Sequence, residues 1–302
     1  MTGGPSQIDT WDPKPDRPQN NRGPFGVIKT KLPDVFICEH LPKQAAMLDR
    51  FTIIRSVDAK FSNHEPNMVF QTGNLDAEPR TNREAKHFPA IASIVAKHRN
   101  TSQAVMPPYV GFYRSPSHIA FGGYAGQEHD PFQGNMAAKL PVYDLVGNNT
   151  GRSTNAQLFQ FPKGLDFQRL GDRRALLNDI DRIRRDIDSS GAMAATDVLI
   201  IAMGEFGRTP MMGTQDSTDG RDHWPNVMSM AMAGGGLRHG QVIGATEKDG
   251  GTIKERAVTP GDFAATLYRY FDVPLTTQYL DHQGRPRNIA DQGTPIAELG
   301  LL

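Results

Sequence analysis

The chain has 302 residues, 38% of them hydrophobic, enough to build one large domain or two small ones around a buried core. Its 33 Lys and Arg balance 33 Asp and Glu, and no basic tract stands out, so a general electrostatic affinity for nucleic acid or anionic membrane is not expected. A single cysteine, Cys38, excludes an internal disulfide framework and a thiolate zinc cluster, and no apolar run approaches the ~20 residues of a transmembrane helix.

Residues 1–34 are rich in Pro, Gly, Asp and Asn and read as loop, with turns at Gly3-Gly4-Pro5-Ser6 and Asp12-Pro13-Lys14-Pro15. Val35-Phe36-Ile37 is a short strand candidate. Residues 39–50 read as a helix with Leu41, Ala45 and Leu48 on one face. Phe51-Thr52-Ile53-Ile54-Arg55 is the next strand, with a loop from Ser56. Ser62-Asn63-His64 opens a helix through Met68-Val69-Phe70 that stops at Gly73, and 90–98 forms another. This strand-helix alternation predicts an α/β fold.

Residues 107–165 are irregular and read as a substrate-facing insertion in a single domain spanning 1–302. A charged helix follows over 172–188, with Ile180, Ile183 and Ile187 in its apolar stripe, predicted to pack on the sheet. Asp197-Val198-Leu199-Ile200-Ile201-Ala202-Met203 is short, continuous and β-branched, the pattern of a buried strand. Residues 227–233 form a further strand with a Met228, Met230, Met232 alternation, ended by Gly234-Gly235-Gly236. Thr259-Pro260 starts a last helix, with Phe263, Leu267, Tyr270 and Phe271 on its buried side.

Two runs carry the chemistry: Gly204-Glu205-Phe206-Gly207-Arg208-Thr209-Pro210 and Gly220-Arg221-Asp222-His223-Trp224-Pro225. A carboxylate just past a strand, flanked by glycines, faces the edge where open α/β sheets bind ligands. Glu205 with Asp222 and His223 offers carboxylate and imidazole donors to Zn²⁺ or a similar ion. The alternative is a turn in which Glu205 caps a helix or pairs with Arg208 and His223 merely packs. His40, His87, His98, His118, His129 and His282 show no convergent pattern and read as packing or surface residues. Trp11 and Trp224 read as pocket walls or buried anchors.

These runs resemble the bacterial domain-of-unknown-function 1501 family, sulfatase-like proteins of the alkaline phosphatase superfamily. Further blocks fall in the family's order: Gly3-Gly4-Pro5-Ser6-Gln7-Ile8-Asp9-Thr10, Cys38-Glu39-His40-Leu41-Pro42, Ile54-Arg55-Ser56-Val57 with His64, Ala233-Gly234-Gly235-Gly236, Gly244-Ala245-Thr246 and Pro260-Gly261-Asp262-Phe263-Ala264-Ala265-Thr266. The resemblance implies a three-layer α/β sandwich with a central, mostly parallel sheet. It implies a divalent ion (Zn, Ca, Mg or Mn) at the strand ends, and hydrolysis of small anionic sulfate or phosphate esters or of sulfated or phosphorylated glycans. In that chemistry the metal lowers the pKa of an oxygen nucleophile and stabilises charge on the ester.

On this resemblance Ser6 is the candidate nucleophile, or else a turn serine bonding its own backbone. Asp9 is a metal ligand or a cap. Glu205, Asp222 and His223 take the places of acidic and histidine ligands. Arg208 grips an anionic ester through its planar fork or pairs with Glu205, and His64 lines the substrate site or starts a helix.

Two departures bear on activity. The resemblance expects an export signal and an apolar strand before the Gly3 turn, and hence a periplasmic or extracellular protein, whereas Met1-Thr2 lead straight into that turn. It also expects a long segment carrying Trp-Asp-Thr-His between the helix near Asp181 and the strand near Leu199, where only 189–196 intervene. The reading is of a shortened chain lacking its first strand and an internal segment, with weak metal binding and poor hydrolysis. The alternative is a non-catalytic ligand-binding or interaction protein on the same fold.

Overall fold

The computed structural model describes residues 3–62, 68–78, 81–99, 108–112, 119–134, 198–214, 218–290 and 293–301. Two compact units divide the chain, Met1–Phe132 with Leu199–Leu302, and Gln133–Val198. The second falls almost wholly outside the described residues, and with it the predicted helix over 172–188 and most of the 107–165 insertion. His64 and the helix start at 63–64 also fall outside them.

The larger unit is built on a four-stranded sheet of β1 (Phe51–Val57), β2 (Leu199–Ala202), β3 (Met228–Gly234) and β4 (Gln241–Ile243), in the order β4-β1-β3-β2. The strands expected near Phe51 and Leu199 do share one sheet. It is mixed rather than mostly parallel among the described residues: β4 runs parallel to β1, whereas β3 enters between β1 and β2 and is antiparallel to both. Strand β1 continues past Arg55 to Val57, because Ser56 is buried and its hydroxyl donates to the Arg256 carbonyl.

The side-chain alternation of the strands sorts the core into two layers. Ile54, Met228, Met230, Met232 and Ile243 face one layer with α1 (Met68–Thr72), α2 (Ile91–Arg99) and α3 (Pro260–Tyr270). Ile53 and Ala231 face the other, with Trp11, Ile37, Ala45 and Leu48. The sequence therefore gives helices on one face and, on the other, a short hairpin (Val27–Lys29 with Phe36–Cys38) and the short helix Pro42–Ala46. That helix is shorter than the 39–50 expected. Pro42 sits in its first turn, Met47 leaves helical geometry, and a 3-10 turn takes over at Leu48–Arg50.

Two further corrections follow from packing. Strand β2 lies at the edge of the sheet, bonded to β3 alone among the described residues, and Ile200 is 60% exposed. A continuous apolar run therefore did not mean burial on both faces. On α3, which starts at Pro260 as expected, Thr259 and Asp262 form a capping box. The buried side chains of this helix include Phe263, Ala264, Ala265, Thr266 and Tyr268, while Tyr270 and Phe271 are only half-buried.

Candidate functional site

The sheet directs three strand ends to one edge. Strands β1, β2 and β4 finish there and β3 begins there, as their pairing requires. From β2 the chain passes through Met203, Gly204, Glu205 and Phe206 into the two-residue strand Gly207–Arg208. This pairs antiparallel with His223–Trp224, Arg208 opposite His223, before the chain enters β3. The two runs singled out in the sequence are thus neighbours in one small ladder.

The Gly3–Thr10 block docks on the same ladder. The Glu205 N–H donates to the Gly3 carbonyl at 3.2 Å, and Arg208 Nε donates to the Gly4 carbonyl at 2.7 Å. Gln7 is buried, and its amide accepts from the Arg208 N–H and donates to the Arg208 and Gly250 carbonyls, each at 2.9 Å. Three glycines permit this approach. A Cβ at Gly4 would overlap Phe206, one at Gly204 would overlap the Pro5 ring, and one at Gly207 would overlap the Val227 carbonyl.

Each predicted residue has a definite place. Ser6 is half-buried, and its Oγ accepts the Asp9 N–H at 3.1 Å, the turn bond weighed from the sequence. Glu205 is buried, 3% exposed. His223 is exposed, with its ring 4.6 Å from that of Phe206. The backbone of Asp222 exchanges two bonds with Thr209, its carbonyl accepting the Thr209 N–H and its N–H donating to Thr209 Oγ1. The Arg208 guanidinium lies over the Phe206 ring at 5.9 Å and donates to the Gly4 and Arg221 carbonyls. His64 lies outside the described residues. Trp11 is a buried anchor, its indole donating to Gln44, and the Trp224 indole donates to the Gly251 carbonyl.

The Asp9 carboxylate faces Arg221. Its Oδ2 accepts Arg221 Nε at 2.7 Å and its Oδ1 accepts Arg221 Nη2 at 3.3 Å, a forked ion pair. Both oxygens of this candidate ligand thus hold a guanidinium. Among the described residues no three His, Cys, Asp or Glu side chains come together closely enough to hold a metal ion.

Sequence reasoning missed Gln7 and Arg221, which with Arg208 tie the blocks together. Both stand inside quoted blocks, but nothing in spacing separates a side chain bonding distant backbone from one facing a ligand.

The family model described as "Protein of unknown function (DUF1501)" matches residues 1–197 and 183–299. The chain belongs to this family. The two matched stretches overlap at 183–197. No curated protein and no solved structure matches the chain.

Proposed function

We propose that the chain carries the scaffold of a sulfatase-like ester hydrolase and is, in this form, a weak one acting on small anionic sulfate or phosphate esters. The observation that carries this reading is the docking of the Ser6 turn on the Glu205 turn by the Gly3, Gly4 and Gln7 bonds. It brings the candidate nucleophile's turn and the candidate acidic turn to the edge where three strands end, which is where α/β sheets do their chemistry. The weakness follows from Asp9, whose carboxylate is committed to Arg221, and from His223, which is exposed.

A second reading, a non-catalytic ligand-binding or interaction protein on the same fold, is favoured by that same Asp9–Arg221 pair, since a turn locked by an ion pair serves binding as well as catalysis. Purified protein separates the two. Bound metal is measured by elemental analysis, and turnover of p-nitrophenyl phosphate and p-nitrophenyl sulfate is measured with and without added Mn²⁺, Ca²⁺, Mg²⁺ or Zn²⁺. Slow turnover that rises with added ion and is lost in Ser6→Ala supports the hydrolase. Turnover at the level of the blank under every condition supports the second reading.

A further inference from the structure

The environment of Arg221 goes beyond a single ion pair. Its side chain is only 5% exposed. Besides the two Asp9 oxygens, Nη1 donates to the Thr209 and Pro210 carbonyls at 3.0 and 2.7 Å, and Nη2 donates to the Asn21 carbonyl at 2.6 Å. Every acceptor is oxygen: one carboxylate, offered by both its atoms, and backbone carbonyls from two further segments. A carboxylate with several carbonyls is the donor set that hard divalent cations, calcium above all, select.

We propose that Arg221 is a built-in cation: its guanidinium fills an all-oxygen cage of the kind a calcium ion occupies, and so anchors the Ser6–Asp9 turn without an exchangeable metal. The guanidinium supplies the positive charge and directs several N–H groups at separate oxygens, as a multidentate ion accepts several ligands. It joins three segments, the first turn at Asp9, the one-turn helix Gln19–Arg22 at Asn21 and the loop at Thr209-Pro210. The proposal rests on the site reading above only in giving the Ser6 turn its importance. The cage itself is defined by the bonds of Arg221, and the test reads stability and cation binding rather than turnover.

The experiment uses the full chain and its Arg221→Ala variant. Melting temperature is followed with EDTA, with CaCl2 and with ethylguanidinium chloride at concentrations that leave the wild type unchanged. The wild type is expected to be indifferent to EDTA and CaCl2. Arg221→Ala is expected to melt several degrees lower and to recover part of the loss in CaCl2 or in ethylguanidinium. The double variant Asp9→Asn/Arg221→Ala is expected to lose the calcium response. If Arg221→Ala does not fold unaided, refolding with CaCl2 or ethylguanidinium should yield soluble protein. Arg221→Lys, which keeps one charge but not the fork, should fall between wild type and Ala. An Ala variant that responds to neither cation, a double variant as calcium-responsive as the single one, or a Lys variant no better than Ala would each overturn the proposal.

Discussion

The side-chain amide of Gln7 pairs with the backbone of Arg208 as a neighbouring strand would, accepting its N–H and donating to its carbonyl, both at 2.9 Å. The same amide nitrogen also donates to the Gly250 carbonyl, so a single buried side chain joins segments more than 200 residues apart. Gln7→Ala leaves a buried N–H and two carbonyls short of a partner, which costs about 1–3 kcal/mol per unsatisfied group before relaxation. Gln7→Glu is expected to be at least as damaging, because a carboxylate has nothing to donate to either carbonyl. Thermal melts of both variants, with protease cutting near Gly3–Thr10 as the local readout, check this. Native melting of Gln7→Glu would show that the bridge is dispensable.

Gly204 is needed for contact rather than for backbone freedom. A Cβ there would overlap the Pro5 ring and approach the Gly3 carbonyl, so Gly204→Ala must push the first turn off the sheet edge. Overpacking of this kind costs roughly 1–3 kcal/mol. Gly236, by contrast, has open space where a Cβ would go but a φ of +67°, so Gly236→Ala is strained locally and leaves the junction intact. Hydrogen exchange should show lost protection at Glu205 and Arg208, whose N–H groups bond across the junction, in Gly204→Ala and not in Gly236→Ala.

The contrast between these glycines indicates what was legible in the sequence. Periodicity and a Pro at a helix start found β1, β2, β3, α2 and α3, because each element is specified by its own residues: the Met228, Met230, Met232 alternation, or Thr259-Pro260. The glycine-flanked runs located the candidate edge, since close approach of backbones leaves glycines behind. Strand direction was not legible. Whether β3 enters parallel or antiparallel depends on the connections on either side of it, and a continuous apolar run reads alike in a buried strand and at the edge occupied by Ile200. Nor were the roles of Gln7 and Arg221 legible: Gln7 bonds backbone atoms more than 200 residues distant, and Arg221 joins a carboxylate 212 residues away to nearby carbonyls, and neither pairing leaves a pattern in local spacing.

Asp281 supplies an acid-sensitive element at a hairpin remote in sequence from the site. Burial alone would raise its carboxyl. This is outweighed by the Arg285 N–H and guanidinium, the Gln283 N–H and the Arg287 guanidinium, which together hold it well below the ordinary carboxylate range. The folded chain thus keeps Asp281 ionised at a pH where the unfolded chain protonates it. Its stabilisation is fully present above the unfolded value, about 3.9, and is lost as pH falls through the lower folded value. Asp281→Asn is expected to lower the melting temperature at neutral pH and to flatten its fall below about pH 4. Parallel melting curves for wild type and variant across acid pH would count against this assignment.

Glu205 and His223 provide the most direct test of the site, because their burial differs. Glu205 is 3% exposed, and Glu205→Gln keeps its shape while replacing a carboxyl oxygen by an amide nitrogen. His223 is exposed and its ring rests on Phe206, so His223→Ala should cost less stability than a change at the buried Glu205. A pair that merely shapes the turn would therefore show its effects in melting temperature, with Glu205→Gln the worse of the two. A pair that acts on an ester would show them in rate. Removal of a group that moves a proton or steadies charge in the transition state costs on the order of 10²-fold or more. Under the hydrolase reading both variants lose ester turnover by at least about 10²-fold, and His223→Ala does so with its melting temperature unchanged. Turnover of p-nitrophenyl phosphate and sulfate, measured beside a melt of each preparation, decides the matter. Wild-type rates retained in His223→Ala would remove the imidazole from the site and leave the Glu205 turn a structural support.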